Sequence, residues 1–126
     1  MSALDRTEWL LLTAALALTS LVHWQETAWP RFVLAFVAID LVGYLPGALA
    51  FRRSRGGAIP PAYHWLYNAT HNFVTAALAI VGWAAVLGRL EWAMLAIPLH
   101  LAGDRGVFGN GFKPTAQPFE RRPVLS

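Results

Sequence analysis

The chain has 126 residues, 56% of them hydrophobic and 13% charged, with a mean hydropathy of +0.44. That apolar fraction exceeds the roughly 45 to 50% of ordinary globular chains, so a single-domain length here points to membrane burial. With no Cys, disulfides, thiolate metal ligands and Cys nucleophiles are excluded; the formal charge of +3 sits on arginines that punctuate apolar runs, a pattern of membrane flanks and not of nucleic-acid binding.

Four apolar segments follow in chain order: 9–24, 32–51, 62–87 and 90–108. Each approaches or exceeds the ~20 residues needed to cross a ~30 Å hydrocarbon core. The first carries no charge between Trp9 and Trp24, and Asp5 and Glu8 around Arg6 argue against a cleavable signal. A soluble helix would show a charged face, so a span is expected. The third is longer than the hydrocarbon and must tilt or project. Between the second and third, "RRSRGGAIPP" breaks helix with its Gly and Pro pairs and offers basic residues to an anionic surface. Residues 1–115 therefore read as one four-span domain, and 116–126 as a polar, Pro-rich, partly disordered tail.

Four spans place both termini and the middle loop on one face. That groups Arg6, Arg52, Arg53, Arg55, Lys113, Arg121 and Arg122 against Arg31 and Arg89. The positive-inside rule then puts the termini in the cytoplasm, and Trp9, Trp24, Trp29, Tyr63, Trp65 and Trp92 fall near the interfaces. The expected fold is an all-α, four-helix transmembrane bundle in the cytoplasmic membrane, with the lipid bilayer as its partner; assembly into a homo-oligomer is left open.

Polar residues within the spans carry the functional question. Asp40 lies halfway along the second span, and a carboxylate at that depth requires a cation, a proton or several donors. Tyr44 and Gly47 share its face. In the third span His64, Asn68, His71 and Thr75 follow i, i+4, i+7, i+11, one helical stripe. His100 and Asp104 share a face of the fourth. Turning the three stripes inward gives a common pocket. His23 and His64 are expected at headgroup level, and Asp104 could instead form an interfacial ion pair with Arg105.

Three chemistries fit this set. His71, His100, Asp104 and Asp40 could ligate a divalent metal, zinc or iron; the same four could serve as acid/base groups or a titratable relay; or His71 and His100 could hold haem, on thinner grounds. Asn68 and Tyr44 would then be supporting donors. A catalytic or metal site of this kind suits an apolar or lipid-like small-molecule substrate. The alternatives are a small proton-coupled carrier or channel, and a non-enzymatic accessory subunit whose polar stripe is structural.

The order D-x-x-G-Y in "IDLVGYLPG", Y-N-x-x-H in "YNATH" and H-x-x-x-D-R-x-x-G-x-G-x-K in "HLAGDRGVFGNGFKP" resembles a family of small bacterial integral membrane proteins known only as a domain of unknown function. The resemblance spans about residues 8–115. It implies a compact four-span protein with Asp40, Tyr44, Asn68, His71, His100, Asp104 and Arg105 as signature positions, and it departs at Asn110, where an aromatic is expected. It implies no particular activity.

Overall fold

The computed structural model describes residues 1–120, and over these the chain is all-α, without a strand. Six helices follow: α1 (Ala3–Val22), α2 (Trp29–Gly43), α3 (Leu45–Arg53), α4 (Pro61–Thr70), α5 (Phe73–Leu87) and α6 (Ala96–Gly106). Single 3-10 turns at Trp24–Glu26 and Trp92–Leu95 lead into α2 and α6.

Local chemistry sets the boundaries. Ser2 and Asp5 cap α1 reciprocally: the Ser2 hydroxyl accepts from the Asp5 amide at 3.1 Å, and the Asp5 carboxylate accepts from the Ser2 amide at 2.9 Å. Pro46 lacks the amide that would continue the α2 ladder, so α2 and α3 are separate helices, joined at Tyr44 into one long rod, Trp29–Arg53. Between α4 and α5 the chain bends by 57°. There Asn72 takes extended dihedrals and its side chain accepts from the Thr75 amide at 2.8 Å, starting a new helix. Gly88 ends α5 in the left-handed conformation, φ 79°.

α6 is the central helix, burying Ala96, Ile97, His100, Leu101, Ala102 and Gly106 against α1, α2 and α5. Gly106 makes the α1 crossing possible, because a Cβ there would lie 2.8 Å from the Leu10 amide nitrogen. Arg6 seals the same crossing by donating to the carbonyls of Gly106 and Val107 at 2.9 and 2.8 Å. The outward faces remain apolar: Leu11 and Leu18 of α1, Val33 and Leu34 of α2, and Val74, Leu78 and Val86 of α5 are all more than half exposed.

The expected four spans map unevenly onto these helices. Trp29–Arg53 is long and apolar enough to cross a membrane, and α4 with α5 qualifies if the bent pair is one span. In α1, Asp5, Arg6 and Glu8 leave Trp9–Val22 as the uncharged stretch. The fourth segment is not one long helix: it is a 3-10 turn followed by the 11 residues of α6, which reach about 16 Å at helical rise.

The C-terminal segment departs most from expectation. Residues 107–120 return over α3 and α4 as a strap instead of projecting as a tail. Phe119 is 1% exposed and packs with Ala48, Phe51 and Tyr67. Gly47 opens its socket, since a Cβ there would meet the Phe119 ring at 2.3 Å. Burying an aromatic ring outweighs the polar, Pro-rich composition of its neighbours. The rest of the expected tail, with Arg121 and Arg122, lies outside the described residues.

Candidate metal centre

Three elements bring four of the expected site residues together. Asp40 comes from α2, His71 from the break between α4 and α5, and His100 and Asp104 from successive turns of α6. Asp40 Oδ1 lies 3.1 Å from His71 Nε2 and 3.3 Å from His100 Nε2; Asp104 Oδ2 lies 3.6 and 3.2 Å from the same two atoms. One donor atom from each residue falls within 4.8 Å of all the others. Ligands of a tetrahedral ion at ~2.1 Å stand about 3.4 Å apart, so the four His–Asp separations already match such a shell and the remaining pairs need only a modest inward adjustment.

The other ring nitrogens decide which way the imidazoles present themselves. His71 Nδ1 lies 2.9 Å from the Tyr67 carbonyl and His100 Nδ1 2.6 Å from the Phe36 carbonyl. A carbonyl can only accept, so each Nδ1 donates to its carbonyl and each Nε2 is turned toward the carboxylates, with His71 Nε2 at hydrogen-bond distance from Asp40 Oδ1. This is the arrangement that orients metal-binding histidines. Two ring nitrogens and two carboxylates then face one another, an arrangement that either ring protons or a bound cation would complete.

His100 Nε2 is buried and has no hydrogen-bond partner among the described residues. Asp40 and Asp104 are near it but out of line for an N–H donor. The histidines are 4% and 3% exposed, whereas the Asp40 side chain is 45% exposed, so the centre has a dry back and an open front. The front faces a cavity of about 550 Å³ whose floor includes Asp40 and Asp104 and whose far wall is the strap.

The positions around the centre are built for this approach. Tyr67 stacks on His71 at 3.8 Å, and Phe36 lies tilted against His100 at 4.7 Å. Gly43 lets α4 close in, because a Cβ there would meet Thr70 Oγ1 at 1.8 Å and His71 Cε1 at 3.2 Å.

Other expected positions lie elsewhere. The stripe His64, Asn68, His71, Thr75 is not one helical face, since the chain bends after Thr70 and His71 caps α4. Asn68 grips the strap, donating to the Lys113 carbonyl at 2.9 Å and accepting from its amide at 2.7 Å. Tyr44 donates to the Glu120 carboxylate. Arg105 turns from Asp104 to the rings of Trp9, Phe73 and Phe112, within 5.3 Å of each. His64 is buried under the strap and donates through Nε2 to the Gln117 carbonyl at 3.1 Å. His23 stacks on Trp92 at 3.7 Å beside Glu26.

Glu120, Lys113 and the rest of the strap wall were not anticipated. Phe119, the single aromatic among the otherwise polar or small residues 113–120, was the available signal. No family model matches the chain, and the comparisons with curated proteins and with solved structures return no match.

Proposed function

We propose that this chain is a small integral membrane protein that binds a divalent metal ion through Asp40, His71, His100 and Asp104. One observation supports the reading: two imidazole Nε2 atoms and two carboxylate oxygens converge within 4.8 Å, the rings held by Nδ1–H bonds to backbone carbonyls, and the buried His100 Nε2 makes no hydrogen bond among the described residues. A buried polar atom unmatched in this way is costly, and a cation at the centre satisfies all four at once. The mixed nitrogen and oxygen set suits zinc or ferrous iron. Haem fits poorly, because Asp40 Oδ1 sits between the two Nε2 atoms where the macrocycle would have to pass.

The membrane setting draws its support from the uncharged, outward-facing surfaces of α1, α2 and α5, which water would not tolerate over such an area and lipid would. The four-span, cytoplasmic-termini topology and kinship with the small bacterial membrane family belong to the same proposal. A bound ion would supply Lewis-acid polarisation of an oxygen in the cavity. The chain's own part is to hold that ion on a dry, hydrogen-bonded back wall, to keep Asp40 at the open side where it can exchange a proton, and to wall the cavity with the strap.

The test is elemental analysis of the protein purified in detergent, before and after dialysis against zinc or ferrous iron. One equivalent per chain is expected, lost in His100→Ala and kept in His64→Ala. Folded protein that takes up neither metal overturns the reading. If Asp40→Asn in that metal-free protein also abolishes proton leak into liposomes, the carrier takes its place; if it leaves the leak unchanged, the structural subunit does.

A further inference from the structure

The cavity in front of the four ligands has a chemistry of its own. Resting on the metal reading above, we propose that it takes a single-chain amphiphile with an uncharged oxygen head, a hydroxyl or carbonyl, placed at the ion, and a hydrocarbon tail that leaves over Phe108 and Phe112.

The head follows from charge. The described lining holds three carboxylates, Asp40, Asp104 and Glu120, against the single ammonium of Lys113. A divalent ion brings that wall to neutrality. A phosphate or carboxylate head would then add negative charge beside three carboxylates in a site with a dry back, where like charges repel over short distances with little screening. A hydroxyl or carbonyl brings a lone pair for the ion and no net charge. The remaining polar lining is also neutral, from the Tyr44 and Tyr67 hydroxyls and the side chains of Asn110 and Gln117, groups suited to holding an uncharged oxygen function.

The tail follows from the edge. Phe108 and Phe112 both line the cavity, yet they are 67% and 58% exposed. Large rings at a cavity edge, left uncovered by the protein, are what a hydrocarbon chain would lie against. A cavity of about 550 Å³ is in the range that accommodates a small-molecule ligand.

Cobalt reports on this directly, because its visible absorption changes when a ligand enters the coordination shell. The protein is loaded with cobalt in lipid nanodiscs and titrated with 1-decanol or with decyl phosphate, whose tails are the same, so that head chemistry is the difference. 1-Decanol is expected to shift the cobalt band at a concentration at least ~10-fold lower than decyl phosphate. Phe108→Ala/Phe112→Ala is expected to bind cobalt with an unchanged resting spectrum, and to need at least ~10-fold more 1-decanol for the same shift. Decyl phosphate acting as well as or better than 1-decanol overturns the neutral head, and an unchanged titration in the double variant overturns the tail path. A spectrum that neither compound alters overturns the whole inference while leaving the metal centre standing. Failure to take up cobalt removes the centre itself, a separate outcome read before any amphiphile is added.

Discussion

Two regions of this molecule gather charge from distant parts of the sequence, and they do so in opposite ways. Where α2 begins and α6 is about to begin, Arg31 donates through two nitrogens to both carboxylate oxygens of Glu91, at 2.7 and 2.6 Å. Donors meet acceptors there, and the pair is complete. Deeper along the same two helices, Asp40 and Asp104 bring two carboxylates against the Nε2 atoms of His71 and His100, whose Nδ1 atoms are engaged by backbone carbonyls. Both regions join α2 to the α6 arm. A closed pair is sufficient as a structural tie, whereas the convergence at the centre leaves the buried His100 Nε2 unmatched, the opening the proposed cation would fill.

The sharpest way to break that contrast is to remove an acceptor at the centre. Asp40→Asn keeps the shape but replaces a carboxylate oxygen with a weaker donor set, and should reduce metal affinity by at least ~100-fold, a change at or beyond the upper end of what loss of a merely orienting partner does. Competition with a chromophoric chelator reads this, and helical content by circular dichroism should stay unchanged. The same chelator assay on Glu91→Gln should show no change.

Next come a glycine and the strap. Gly106→Val forces a side chain into the α1 backbone, where a single Cβ already comes within 2.8 Å. Overpacking of this kind costs roughly 1–3 kcal/mol, and thermal unfolding in detergent should show it. Phe119→Ala empties the socket at Gly47. Full burial of such a ring sets an upper bound of about 3–5 kcal/mol, but because the strap can undock without unfolding the helices, the loss should surface as faster hydrogen exchange over residues 113–119. Metal content should persist in both variants, since neither residue touches the four ligands.

How much of this was legible beforehand differs by level. The membership of the centre could be read because an ionisable residue in an apolar run is costly wherever it points, so Asp40, His71, His100 and Asp104 had to find one another or a shared cation. The helix class could be read from the apolar runs alone. The break at His71 and Asn72 was hidden by the regular spacing of His64, Asn68, His71 and Thr75, a periodicity that an N-capping Asn overrides locally. Gly43 and Gly47 read as ordinary helix residues, since what each admits, Thr70 with His71 and Phe119, comes from far along the chain. The strap was missed for a related reason: a composition rich in Pro and polar groups describes the average of a segment, and one aromatic ring with a socket is enough to dock it.

The smallest effect belongs to the completed pair, and its pH dependence tells how it differs from the centre. Arg31 holds the Glu91 carboxyl below its usual value of 4.5 through the paired hydrogen bonds. A group whose folded pKa is depressed contributes stability that is present above its unfolded value and is lost as pH falls through the folded one. Wild type should therefore lose a small increment of thermal stability on acidification below about pH 4.5, and Glu91→Gln should lack that increment at neutral pH and converge with wild type in acid. Because Arg31 is half exposed, water and salt screen the pair, and the neutral-pH difference should be smaller than for either Gly106→Val or Phe119→Ala and should shrink further at high ionic strength. A difference that instead grew with acid would mean the carboxylate is destabilised in the folded chain, and Glu91 would then belong with the unsatisfied acceptors of the centre and not with the closed ties that hold α2 to the α6 arm.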